Sequence, residues 1–444
     1  MVCMSKVIVI GGGAAGLMAG VAAARSGADT IVLERMTEPG RKLLITGKGR
    51  CNLTNSCGIQ ELVKNLPGNG KFLFGALKRF GREELLDLLR EGGLDTTEER
   101  GGRIFPASGK AMDVIRTFRG LLKSAGARLE TGAQVTGLVM DGMKVKGVQF
   151  RRLLNDGRKA GQDYRSTELG KVKLGRTETL PADAVIVCTG GASYPGTGSD
   201  GNFFAVLEKL GIGMTPLLPA LVPLAPEEGF AEDLDGLTLK NVQGTVMSGG
   251  KELVSEFGEL QFTRGTVAGP ISLTMSRKVA QAAAAGADDL ELVLDLKPAL
   301  DREKLDNRLQ RNFAEFSKKK LKEVVRKLLP PQLVEPVLDT AYLDGEKQVS
   351  QVSREERRQL VEALKTWTIP LTGTRPLAEA IVTSGGVALK GIDPKTMASR
   401  QVEGLYFAGE VMDVDGYTGG YNLQAAFSSG YVAGQSAASA GETD

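Results

Sequence analysis

Residues 6–16 read KVIVIGGGAAG: a lysine and four apolar residues, then a run matching G-x-G-x-x-G at Gly11, Gly13 and Gly16. The unbroken apolar run is that of a strand buried on both faces of a parallel sheet. Behind it an alanine-rich segment predicts a helix to about Ser26, stopped by Gly27, and TIVLE predicts a second strand ending on Glu34. The turn Gly11, Gly13, Ala14, Ala15, Gly16 needs glycine for a tight bend, for backbone approach to a pyrophosphate and for close helix packing. Glu34 stands 23 positions after Gly11, where an acid accepts from both ribose hydroxyls of an adenosine. A lone G-x-G-x-x-G means little. Strand, helix, second strand and acid in this order define a dinucleotide-binding unit.

The residues beyond Glu34 narrow the cofactor. Arg35 comes next, and then PGRKLLITGKGRCN, residues 39–52. A nicotinamide dehydrogenase usually passes into another plain crossover unit. This chain supplies a glycine- and arginine-rich loop, with donors for a second stretch of an extended anionic cofactor, which favours FAD over NAD. Near the other end, GLYFAGE predicts a strand ending on Glu410, DVDGYTGGYN a glycine-rich loop, and LQAAFSSGYVAGQSAASA a small-residue helix. A helix start behind Gly419 and Gly420 offers free N–H groups and a positive dipole to the N1/C2 edge of a reduced flavin. The two ends then build one α/β FAD domain, and the middle is an insertion.

Bulk properties agree. A chain of 444 residues calls for two or three packed units. The net charge of +3 asks for neither nucleic acid nor an anionic membrane. MVCMSK opens without a basic-then-apolar leader, so the expected location is the cytoplasm. Four cysteines, Cys3, Cys51, Cys57 and Cys188, are too scattered for a disulfide framework or a thiolate zinc site, and no metal is expected. There is no histidine. Ser-His-Asp and Cys-His hydrolases and most transition-metal sites are thereby excluded.

GRKLLITGKGRCNLTN, TGGASYPGTGSDG at 189–201, and the long run from Gly385 to Tyr431 resemble the BaiN-like family of bacterial flavoproteins, also labelled aminoacetone-oxidase-family FAD-binding enzymes. The likeness covers essentially the whole chain. It implies a two-dinucleotide-binding-type FAD domain from both chain ends (1–200 and 365–444), a β-rich substrate domain (201–297) and a small helical insert (298–364). It implies non-covalent FAD, with Glu34 on the adenosine ribose and Arg35, Arg41, Lys42, Arg50 and Asn52 along the cofactor. Cys51 would offer its backbone, Val135 would meet the adenine, and Thr189, Gly190 and Gly191 would face the flavin side. Glu410 and Asp413 would lie toward the ribityl chain, with Asn422 and Leu423 at the ring. Many relatives carry Thr-His and then Ser-Gly-Pro where this chain reads FTRGTVAGP, with Arg264 and Ala268, so an imidazole-assisted step is not expected. The charged stretch 151–179 reads as an exposed hairpin extension.

Two motifs invite other readings. GKGRCNLTNSC, residues 47–57, spaces Cys51 and Cys57 as C-x5-C, which on a helix leaves them about 120° apart; disulfide reductases use C-x4-C and an acid-base histidine. Cys57 is therefore incidental. GTGSDG at 196–201 repeats the glycine pattern, but no second strand ending in an acid comes after it, so a dedicated NAD(P)H domain is not expected. NAD(P)H, as a transient donor, would enter the substrate cleft directly. The Lys318–Lys320 and Lys322 run reads as a solvated helix face, since no aromatic residues interleave with it.

Pockets in such flavoproteins lie between the FAD domain and the sheet. Candidate cleft residues are Tyr194, Arg103, Phe105, Gln261, Thr263, Arg264 and Tyr417, with Tyr194 and Tyr417 the proton donors opposite flavin hydride delivery. The expected activity is two-electron transfer between flavin N5 and a carbon of a small organic substrate. Reduction of an enone-like C=C bond, steroid or bile-acid derived, leads. Amine oxidation by dioxygen, a redox-sensing flavoprotein and an RNA-associated flavoprotein are the rivals. The oligomeric state is open.

Overall fold

A computed structural model describes residues 4–155, 172–230 and 232–441. The chain divides into two compact units, Met1–Leu218 with Ile381–Asp444, and Pro219–Ala380.

The first unit is built on a five-stranded parallel sheet, in the order Leu405–Phe407, Ala184–Val187, Lys6–Ile10, Asp29–Glu34, Arg128–Thr131. The central strand is buried from Val7 to Ile10, as a strand covered on both faces must be. The glycine-turn helix Ala14–Arg25 and the last helix Tyr421–Ala438 pack on one another. Their approach is backbone to backbone: a Cβ at Gly430 would lie 2.3 Å from Ala15 O, and one at Gly434 2.4 Å from Ala19 O. This explains why both helices are rich in alanine, glycine and serine and show no polar stripe. Helix Ala111–Ser124 joins them, stacking Phe118 on Phe427 at 5.4 Å.

A three-stranded antiparallel sheet, Ala133–Asp141, Lys144–Leu153 and Leu174–Pro181, is appended. The last two strands are the flanks of the predicted hairpin extension; its residues 156–171 lie outside the described residues.

The second unit is a closed six-stranded barrel, Leu224–Pro226, Thr266–Ala268, Lys251–Thr263, Thr238–Ser248, Glu291–Asp295 and Trp367–Thr374. Helix Pro270–Ala284 buries Ile271, Met275 and Val279. These recur every fourth residue, a helical period standing in a region that otherwise reads as strands. Four further helices, Arg302–Glu315, Leu321–Val325, Pro331–Thr340 and Arg354–Lys365, share this core. The chain returns to the first unit at Ile381 rather than 365, because strand Trp367–Thr374 pairs with Glu291–Asp295 on one side and Leu224–Pro226 on the other and closes the barrel. It leaves the first unit at Leu218 rather than 200, because helix Phe204–Lys209 buries Phe204 and Leu207 in the first unit's core.

Candidate functional site

The three motif glycines do different jobs. Gly11 adopts φ 101°, and a Cβ there would sit 2.4 Å from Cys188 O; a Cβ on Gly16 would sit 1.8 Å from Gly11 O. Both are packing requirements. Gly13 caps helix Ala14–Arg25 in an extended conformation with no side-chain cap, and a Cβ there would meet nothing within 4 Å. The first-turn N–H groups behind it have no partner inside a helix, so this open side has the free donors that an anion site needs.

Glu34 accepts the Gly12 N–H at 2.6 Å on Oε2 and the Met36 N–H at 2.7 Å on Oε1. Burial pushes its pKa above 4.5, opposed by those two bonds. Arg35 pairs with Asp200 at 2.6 Å. The second glycine motif thus serves as a latch for the residue beside the acid, and Arg35 has a protein partner where a cofactor contact was expected.

Arg41, on the short helix Arg41–Ile45, is buried, and its Nη2 donates to Thr37 Oγ1 at 3.0 Å. Lys42 Nζ donates to Glu410 at 2.7 and 3.0 Å and to Ser193 Oγ at 2.8 Å. Glu410 lies beyond its predicted strand, in the turn Gly409–Val411, and its Oε1 also accepts the Thr383 N–H at 2.8 Å. Thr383 Oγ1 accepts the Ala192 N–H at 2.8 Å, beside Gly190 and Gly191. Ser193 and Thr383 escaped the sequence reading: no local spacing connects residues that meet across the fold.

The two glycine-rich loops lie against one another. Gly47, Lys48, Gly49 and Cys51 all take positive φ, so the GKGRCN loop is wound left-handed, a conformation that costs non-glycine residues. A Cβ on Gly420 would lie 2.4 Å from Thr54 O, and Asn55 Nδ2 donates to Gly419 O at 3.1 Å. Asn422 clasps its own loop, its Oδ1 accepting the Gly416 N–H at 2.8 Å and its Nδ2 donating to Gly416 O at 2.8 Å. Its side chain is engaged there, which leaves the backbone N–H groups of Asn422 and Leu423, in the first turn of Tyr421–Ala438, for a ligand. The Asp413 carbonyl accepts Asn69 Nδ2 at 2.8 Å, and the Tyr417 N–H donates to Asn65 O at 2.9 Å. Arg50 pairs with Glu99 at 2.6 Å and stacks over Phe105, 4.2 Å from its centroid. Cys51 and Cys57 are free thiols. Burial pushes Cys51 up to about 12, and burial, then Glu61, raises Cys57; neither is poised as a thiolate nucleophile.

The model of the HI0933-like protein Rossmann domain matches residues 5–436. The chain belongs to that family of FAD-dependent oxidoreductases. It is 30% identical to a 3-dehydro-bile acid delta(4,6)-reductase of Clostridium scindens, over 98% of this chain and 99% of the relative. It is 30% identical to a ribosomal RNA dihydrouridine synthase of Haemophilus influenzae, over 96% and 97%. Among solved structures it resembles a flavocytochrome c3 fumarate reductase in an open conformation, at TM-score 0.52 and 16% identity over 99% of this chain and 79% of that one. It also resembles a 3-ketosteroid-delta4-(5alpha)-dehydrogenase of Rhodococcus jostii RHA1, at TM-score 0.50 and 17% identity over 98% and 96%. The structural likenesses are of fold.

The residues present fit FAD. The space over Gly13 lets a pyrophosphate approach backbone, and Asn52 Oδ1 is a buried acceptor without a hydrogen-bond partner, which a flavin ring N–H or a ribityl hydroxyl would satisfy. Val135 is buried on Ala133–Asp141 beside an irregularity of pairing that precedes Gly137. Tyr194 is exposed with φ 52°, and Tyr417 is half-buried. Both belong to the first unit. Arg264 belongs to the second: it is exposed, at the turn between Lys251–Thr263 and Thr266–Ala268, with φ 51° and its N–H on Asp235 Oδ1 at 2.6 Å. Gln261 and Arg103 are exposed and Phe105 is buried. Among the described residues no helix is long and apolar enough to cross a membrane.

Proposed function

We propose that this flavoenzyme hydrogenates a C=C bond conjugated to a carbonyl, with NAD(P)H as donor. FAD, when bound, supplies hydride from its reduced ring. The chain's own residues bind and orient it: the N–H groups at Gly13, Ala14, Ala15 and Gly16 take the pyrophosphate, Glu34 the ribose, Arg41, Lys42 and Asn52 the remainder, and the Asn422 and Leu423 N–H groups the ring's electron-rich edge. Tyr417 Oη or Tyr194 Oη gives the proton to the α-carbon, which suits a chain without imidazole.

The observation that carries the reading is the bile-acid reductase relative, which spans both units and is named for a double bond conjugated to a 3-oxo group. The favoured substrate is accordingly a steroid-like enone. A second reading has its own support. The Haemophilus influenzae relative, and one of Escherichia coli at 28% identity over 96% of this chain, are named for dihydrouridine formation in ribosomal RNA, and the uracil C5=C6 bond is also conjugated to a carbonyl. Against a nucleic-acid face on the helical segment, Lys319 pairs with Glu323, and Lys320 and Lys322 pair with Glu346.

The test is anaerobic reduction of the FAD-loaded protein with NADH, NADPH or dithionite. A 3-oxo-Δ4,6 steroid or an unmodified ribosomal RNA transcript is then mixed in. Return of oxidised-flavin absorbance with a mass gain of two hydrogens in the steroid supports the first reading; the same gain in RNA alone transfers the chemistry to the second. If neither acceptor is hydrogenated, conjugated C=C reduction is wrong.

A further inference from the structure

Thr383 is the third residue of the segment that re-enters the first unit at Ile381. It lies fully buried on strand Val382–Val387. Its polar groups grip two segments distant in sequence: Oγ1 accepts the Ala192 N–H and the backbone N–H donates to Glu410 Oε1, each at 2.8 Å. The fit is tight, since a Cβ on Gly191 would lie 2.3 Å from Thr383 Oγ1 and 3.1 Å from Glu410 Oε1. The glycine at 191 is thus required by the threonine at 383.

The consequence runs to Lys42. Its ammonium spans both Glu410 oxygens and Ser193 Oγ. Thr383 holds one of those oxygens through its N–H and the Ala192–Ser193 backbone through its hydroxyl, so both acceptors of Lys42 are fixed through one buried side chain and its peptide. We propose that Thr383 is a positioning residue that sets the location of the Lys42 charge in the cofactor cradle. The inference rests on the reading that this cradle holds FAD. Lys42 and Glu410 are a pair of opposite charges, so shifting one against the other would change the field that this cradle puts on a flavin ring and with it the ring's reduction potential.

The test uses Thr383→Val, which keeps shape and loses the acceptor, and Thr383→Ser, which keeps the acceptor. T383V is expected to bind FAD about tenfold more weakly, equivalent to about 1.4 kcal/mol, with an altered visible spectrum and a shifted reduction midpoint potential. T383S is expected to restore affinity, spectrum and potential. A folded T383V that matches the wild type in affinity and potential overturns the proposal. So does a folded T383S that behaves like T383V. Should T383V fail to fold, Thr383→Ala takes its place: a folded T383A with wild-type affinity and potential overturns the role, and a shift in both that T383S does not show supports it. Neither readout involves an organic substrate, so failure here leaves the conjugated C=C reading standing, and a wild type that hydrogenates nothing leaves this inference standing.

Discussion

The Gly13→Ala and Gly16→Ala substitutions separate what glycine does for packing from what it does for the ligand. At Gly16 the new Cβ would lie 1.8 Å from Gly11 O and 3.3 Å from Cys188 Cβ. The first contact is roughly 1.5 Å short of van der Waals distance, and neither the Gly11 backbone oxygen nor a Cβ fixed to its own Cα can rotate away. Overpacking of this kind costs about 3 kcal/mol or more. For a unit of this size that lowers the melting temperature by roughly 5 °C. At Gly13 the methyl meets no protein atom, and φ −80°, ψ −169° is open to alanine. The poorer N-cap costs about 0.5–1 kcal/mol, and the stiffer unfolded chain returns about 0.4–1 kcal/mol. The apo protein should therefore melt almost as the wild type does. The methyl instead fills the space through which a pyrophosphate approaches the helix start, and FAD should bind at least about tenfold more weakly, a loss of about 1.4 kcal/mol. Differential scanning of the apo proteins and fluorescence titration with FAD measure the two effects. A G13A protein with wild-type FAD affinity, or a G16A protein as stable as the wild type, refutes the division of roles.

Single groups give three further outcomes. Burial raises the Glu34 pKa above 4.5, so the neutral form is favoured in the fold; that stabilisation is complete below pH 4.5 and is lost as pH rises through the folded value. In apo protein, E34Q carries a pH-independent loss of about 1–3 kcal/mol from the N–H of Gly12 or Met36 left without its acceptor, and its deficit against the wild type should shrink over that window; denaturant unfolding at stepped pH checks it, and a deficit that holds constant or widens upward from pH 4.5 contradicts it. Asn52→Ala removes a buried acceptor that has no partner in the protein, so apo stability should hold while FAD affinity falls about tenfold, read by the same titration. Cys57→Ser should reduce and reoxidise its flavin as the wild type does in stopped flow, whereas a dithiol mechanism would show a missing kinetic phase.

The parts legible in the sequence are those written locally. Gly11, Gly13 and Gly16 sit within one turn, and the strand-helix-strand-acid order needs only neighbours to be read. Helix Pro270–Ala284 is hidden because short strand-like runs flank it and its period is carried by three residues, Ile271, Met275 and Val279. The barrel's closure depends on Trp367–Thr374 pairing across more than 140 residues with Leu224–Pro226, which no spacing announces. The same reason hides Ser193 and Thr383, whose partners lie 151 and 191 residues away. Arg35 and Arg50 read as cofactor donors because an arginine in a glycine-rich loop looks alike whether its partner is a phosphate or a carboxylate. Only the fold brings Asp200 to the one and Glu99 to the other.

That division has a physical root. A backbone that must approach a pyrophosphate can do so only through glycine at set positions, so the requirement is stamped on adjacent residues. A charge can be held from any direction by any side chain that arrives, and the chain supplies such groups from several distant segments: Lys42 near the start, Ser193 midway, Thr383 and Glu410 near the end. The cradle thus has a rigid half encoded by local conformation and an electrostatic half encoded by topology. In the proposed reading the rigid half takes the dinucleotide common to many folds of this kind. The electrostatic half is where a protein without histidine can tune the reactivity of the ring, and substitutions there should alter potential before they alter stability.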